Sequence, residues 1–140
     1  MITDTGPLIA ALDRSDPRHG LAVRILHRAG TNAYVPDPVA VEVDILARRW
    51  FGPHAGRVFL QTLRTGRHTR LTLTETLWRR AIEIDQQYAD LNLGLVDTAV
   101  MAVAEQRNEP VFTFDLRDFR AVKGPDNGAW PLVVTEADLS

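Results

Sequence analysis

Short apolar runs punctuated by longer stretches of helical spacing constrain this chain more than any other feature. "MIT", "NAYVP", "TRLTL", "PVFTF" and "WPLVV" read as strands. The segments between them carry apolar residues at helical intervals. A helix follows "MIT" with Pro7 suited to its first turn, and residues 17–29 form another with Leu21, Ile25 and Leu26 on one face. A third starts near Asp37 and Pro38, and "FGPHAGRVFLQTLRTG" adds a fourth that ends at Gly66. Thr74 caps a helix through Tyr88, and a last one spans about 94 to 107. Strands alternating with helices favour a parallel sheet covered on both faces, so the expected class is α/β, a three-layer α/β/α sandwich.

A chain of 140 residues, 45% hydrophobic and 24% charged, has the size of one ordinary domain, and no repeat or linker divides it. Residues 1–140 are therefore read as a single domain. The net charge of −2 gives no global basic field of the kind that announces a nucleic-acid binder. With no cysteine there is no disulfide, no zinc-thiolate site and no thiol nucleophile. No apolar run approaches a membrane span, and Asp4 interrupts the start before any signal core forms, so a cytoplasmic location is expected.

The acidic residues sort by environment. In "GLVDTAVMAVAE", Asp97 has Leu93, Gly94, Val100 and Met101 as its neighbours one turn away, which places a carboxylate in an apolar stripe. Glu42 repeats the anomaly among Pro38, Val39, Ile45 and Leu46. Asp44, with Arg48 four residues on, and Glu83, with Arg79 and Arg80 one turn earlier, belong to solvated faces. Asp4 and Asp115 follow the apolar ends of "MIT" and "VFTF", the carboxyl edge of a parallel sheet, where sites form. An ionised carboxylate buried without a partner costs several kcal/mol. No Lys or Arg lies one helical turn from Asp97 or Glu42. A hard divalent cation, Mg²⁺ or Mn²⁺, suits such an all-oxygen set.

Each acid also has a structural role open to it. Asp4 suits the cap of the helix near Pro7, Asp115 the cap of the "LRDF" turn, and Asp90 and Asp118 suit loops or caps. The joint pattern carries the case for a metal site.

Three segments, "MITDTGPLIAALDRSDPRH", "VPDPVAVEVDIL" and "YADLNLGLVDTAVMAVAEQRNEPVFTFDLRDFRAV", resemble the PIN domain, specifically its VapC toxin ribonuclease branch, from Met1 to about Val134. The resemblance implies a PIN-like fold and assigns the family's acidic positions to Asp4, Glu42, Asp97 and Asp115, with Thr5 and Thr113 as hydroxyls supporting them. Asp90 is a recurrent acidic position in that branch, and its role stays open. Also implied are Mg²⁺-dependent endonucleolytic cleavage of RNA, in which Glu42 orients a water and the products carry a 5′-phosphate and a 3′-hydroxyl. The partners implied are a cognate VapB antitoxin lying over the active-site groove and a second copy in a homodimer. Apolar residues on the early helices (Leu21, Ile25, Leu26) and on the 51–63 helix are candidates for that groove or for the core.

Substrate binding by an acidic chain must rest on local charge. Arg64, Arg67 and Arg70, the pairs Arg48/Arg49 and Arg79/Arg80, and Arg117 with Arg120 are candidates for phosphate contacts, Arg117 being the one expected on the active-site rim. Trp50 and Phe51 are candidates for base stacking or for packing. The four histidines lack metal-ligand spacing. A haloacid-dehalogenase-type phosphatase would need a second aspartate after "DTGPL", which is missing, and a PIN scaffold that only binds RNA or protein would have no need of all four acids.

Overall fold

A computed structural model describes residues 1–140. Four strands form one sheet: β1 (Ile2–Thr3), β2 (Tyr34–Pro36), β3 (Thr69–Leu71) and β4 (Val111–Phe112). Their order is β3-β2-β1-β4 and every pairing is parallel, with Ile2 opposite both Tyr34 and Val111 and Thr3 opposite Phe112. Ile2 and Thr3 are successive residues of a strand and so face opposite sides of the sheet. Both are 0% exposed, as are Val111 and Phe112. β1 and its neighbour β4 are thus covered on both faces, which is the three-layer arrangement.

The covering helices are α1 (Thr5–Leu12), α2 (His19–Ala29), α3 (Asp37–Phe51), α4 (Pro53–Arg64), α5 (Glu75–Gln87) and α6 (Leu95–Arg107), followed by the short α7 (Leu116–Ala121) and α8 (Glu136–Leu139). Gly52 and Gly66, at φ 95° and 75°, break the chain after α3 and α4, a backbone conformation that costs other residues more. Thr74 caps α5 as expected, its hydroxyl accepting the Leu77 N–H at 3.3 Å. α6 is buried on all sides, with seven consecutive buried residues from Thr98 to Ala104. Such a helix belongs at the centre of the molecule, and α6 packs against β1, β2, α3 and α5.

Two expectations need correction. "WPLVV" does not form a full strand: it joins the sheet through a single parallel bridge between Leu132 and Val111, held by Val111 N–H to Pro131 O (2.8 Å) and Val133 N–H to Val111 O (2.9 Å). The "LRDF" segment, expected to be a turn, is the helix α7, capped by Asp115. No helix is long and apolar enough to cross a membrane.

Candidate metal centre

Parallel pairing of β1 and β4 sets their carboxyl ends side by side, and the chain leaves both ends through an aspartate. Asp4 is at once the residue after β1 and the N-cap of α1. Its Oδ1 accepts the Thr5 N–H at 2.8 Å and its Oδ2 accepts the Thr113 hydroxyl at 2.7 Å. That hydroxyl in turn accepts the Asp115 N–H at 3.0 Å, so one threonine just beyond β4 ties the two strand-end aspartates together. Asp4 is only 5% exposed. Burial raises its pKa, the two hydrogen bonds lower it, and the nearby charges of Glu42 and Asp115 raise it again; the net direction is upward.

Asp97 reaches the same place from the first turn of α6, whose start is set by Gly94 at φ 84°. A helix N-terminus favours a carboxylate. Burial of the half-exposed side chain opposes this, and so do the charges of Asp4, Asp118, Asp115 and Glu42, in that order. Together they win, and the Asp97 carboxyl is pushed up to about 7. Glu42, half-buried on α3, contributes to the upward shift of both Asp4 and Asp97. Asp4 and Asp97 therefore each lie within electrostatic reach of the other two acids singled out in the sequence, Glu42 and Asp115.

The tightest grouping has a different membership. Carboxylate oxygens of Asp97, Asp115 and Asp118 lie within 4.8 Å of one another. Asp118 is drawn in by α7: its N–H donates to Asp115 Oδ1 at 3.4 Å, and its carboxylate faces that of Asp97 within 4.8 Å. Partial burial raises its pKa first, with Asp115 adding to the shift and Arg117 and Asp97 opposing it. From the sequence, Asp118 suits a loop or a cap. The signal that finds it is its spacing, three residues after Asp115, which puts both on one helical face once "LRDF" is taken as a helix.

Thr5 contacts Asp4 through its N–H, whereas its hydroxyl is buried without a hydrogen-bond partner. Asp90 is exposed in the turn before α6 and is not among the charges that shift Asp4 or Asp97. Arg117 is exposed two residues beyond Asp115. Several other arginines are held by acids: Arg48 by Asp44 (2.8 Å), Arg70 by Asp37 (2.8 Å), and Arg80 by Glu105 (3.0 Å) and Glu83 (3.3 Å). Trp50 and Phe51 are exposed and meet edge to face at 6.4 Å between ring centres. Two histidines make backbone contacts away from the acids, His19 with Ala10 O at 2.8 Å and His68 with Gly30 O at 2.9 Å.

A set of hard oxygen donors, crowded enough to push one carboxyl to about 7 with no basic side chain neutralising it, fits a divalent cation such as Mg²⁺. An α/β sandwich with carboxylates gathered where the adjacent parallel strands β1 and β4 end is the class that the fold and site define. The PIN domain family model matches residues 1–125, and the chain belongs to that family. Ribonuclease VapC26 of Mycobacterium tuberculosis is 25% identical over 134 residues, which is 95% of this chain and 99% of that protein. Among solved structures, the sarcin-ricin loop cleaving toxin VapC20 of Mycobacterium tuberculosis superposes with a TM-score of 0.77 at 22% identity, covering 86% of this chain and 92% of that one. A toxin-antitoxin complex from Klebsiella pneumoniae gives a TM-score of 0.65 at 20% identity, covering 95% and 98%. At these identities the structural likeness concerns the fold.

Proposed function

We propose that residues 1–140 form one PIN domain acting as a Mg²⁺- or Mn²⁺-dependent endoribonuclease of the VapC type, the toxin of a VapBC pair. The observation that carries this reading is the gathering of Asp4, Glu42, Asp97, Asp115 and Asp118 around a carboxyl pushed up to about 7. The curated relative named a ribonuclease supports it. Asp97, Asp115 and Asp118 are the residues that would hold the cation, with Asp4 beside them. When bound, the cation supplies positive charge that lowers the pKa of water and neutralises the scissile phosphate.

The chain's own residues supply the rest. Thr113 fixes Asp4 relative to Asp115, so the carboxylates are positioned before substrate arrives. Glu42 orients the attacking water and takes its proton. The water oxygen bonds to phosphorus as the bond to the 3′ oxygen breaks, and a proton moves to that oxygen, leaving a 5′-phosphate and a 3′-hydroxyl. No covalent enzyme intermediate is required.

A VapB-type antitoxin is the proposed regulator. Its apolar seat is a groove between α1, α2 and α4 lined by Leu8, Leu12, Val23, Leu26, Val58 and Phe59. Of the early-helix residues expected to form such a groove, Leu26 lines it, whereas Leu21 and Ile25 pack against the core. Exposed Val41, Trp78 and Leu95 surround a second groove, the face proposed for a homodimer, and the location proposed is cytoplasmic. The test is incubation of purified protein with RNA, with Mg²⁺, with Mn²⁺ and with chelator. Cleavage is expected only with metal and only in protein that keeps Asp97; cutting in chelator, or by Asp97→Asn at the wild-type rate, overturns the reading.

A further inference from the structure

Next to Asp115 an open cleft of about 570 Å³ runs between α7 and α8. Phe114 and Asp115 line it at one end, Arg117 and Arg120 from α7, and Glu136 and Leu139 from α8. We propose that this cleft is a subsite for a backbone phosphate of RNA flanking the cut, and that Glu136 is a built-in competitor for it. The inference rests on the nuclease reading above.

The argument begins with repulsion. A polyanion that must bring one phosphate up to five carboxylates needs cations beside them, and the chain as a whole carries no net positive charge, being at −2. Arg117 and Arg120 stand three residues apart on α7, so both project from adjoining positions on one side of that helix. Arg117 enters none of the eight ion pairs in the molecule. Arg120 is held by Glu136 through Nη1 and Oε1. A carboxylate on a guanidinium occupies the donors a phosphate would use, and the fork that accepts one accepts the other.

The pair can be displaced. The Arg120 and Glu136 side chains are 55% and 72% exposed, and ion pairs this open contribute little in water. α8 is a single turn closed by a capping box between Thr135 and Asp138, with Leu139 packed against the core. Glu136 is therefore delivered to Arg120 by an anchored element and can be pushed aside without unfolding it. A third guanidinium, that of Arg18, packs over the Phe114 ring at 4.4 Å from its centre and is itself paired with Asp16 at 3.5 Å, so the cleft relies on Arg117 and Arg120.

The experiment uses the full chain in chelator, so that nothing is cut, and reads anisotropy of a fluorescent 12-mer oligoribonucleotide against wild type, Glu136→Gln, Arg120→Gln and the double variant. Glu136→Gln is expected to bind about two- to five-fold more tightly, the range an exposed pair can supply. Its log affinity should also fall more steeply with log salt, by about 0.7, the slope for one added phosphate contact on a single strand. Arg120→Gln should bind more weakly than wild type, and adding Glu136→Gln to it should change nothing. Equal affinities for all four proteins overturn the proposal. So does a gain from Glu136→Gln that persists without Arg120, because that assigns the effect to loosening of α8. Tighter binding of an oligoglutamate than of the RNA also overturns it, giving the cleft to an acidic peptide. Cleavage in Mg²⁺ is scored separately: the expected binding pattern without cutting removes the nuclease reading and keeps the phosphate subsite.

Discussion

Replacing Asp97 by asparagine should make the metal-free protein more stable at alkaline pH. Burial, then the charges of Asp4, Asp118, Asp115 and Glu42, hold the Asp97 carboxyl at about 7 against an ordinary 3.8. Between those values the folded chain keeps a proton that the unfolded chain has released. Stability therefore falls as pH climbs through that window and levels off above it, where the folded state carries the full penalty. Taken at face value a shift of that size is worth about 4 kcal/mol, and solvent on the open side of the half-buried group reduces this to about 2 kcal/mol. Asparagine carries no charge to repel. Urea unfolding in chelator at pH 8 should show Asp97→Asn more stable than wild type by about 2 kcal/mol, with the gap narrowing toward pH 5. A wild type at least as stable as the variant at pH 8, or a gap that does not change with pH, would refute the crowding on which the site depends. The variant should at the same time be inactive, since stability lost to a crowded site is what a bound cation repays.

Thr113→Val removes the hydroxyl between Asp4 and Asp115, which should lower stability by about 1–3 kcal/mol and raise the Mg²⁺ needed for half-maximal cleavage by about 10-fold or more; a Mg²⁺ titration of activity checks it. Asp118→Asn should likewise raise the half-saturating Mg²⁺ while leaving maximal cleavage closer to wild type than Asp97→Asn does, because it removes one member of the three-carboxylate group. Thr74→Ala, at the cap of α5, should lower stability by about 1 kcal/mol in thermal unfolding and leave metal-dependent cleavage as it was.

The fold was legible because its signals are local. The Thr74 cap and the glycine ends of α3 and α4 act within a turn or two of sequence, and the parallel sheet follows from alternation alone. "WPLVV" fell short because strand formation needs a partner edge: only Leu132 meets Val111 in register. At the site, Asp4 and Asp115 were legible as strand-end acids, and their capping and clustering roles turned out to coexist in the same side chains. Their competition in the sequence reading was a false choice. Asp118 was hidden by reading a six-residue helix as a turn. Glu42 was found by an apolar stripe that is only partly real, since Ile45 is 48% exposed. Asp44 with Arg48 was legible as an i,i+4 pair, but the other arginines were not, because Asp37, Glu105 and Glu136 engage Arg70, Arg80 and Arg120 through tertiary neighbours that neither spacing nor net charge reports.

The most direct measurement is calorimetric titration of the metal-free protein with Mn²⁺ at pH 7 in two buffers of different ionisation enthalpy. A carboxyl held at about 7 is half-protonated there, so saturable binding should expel about half a proton per site, and the apparent enthalpy should differ between the buffers by about half the difference in their ionisation enthalpies. Asp97→Asn should lose the proton release along with most of the affinity. Saturable Mn²⁺ binding with the same enthalpy in both buffers, or no saturable binding to the wild type at all, would contradict the account.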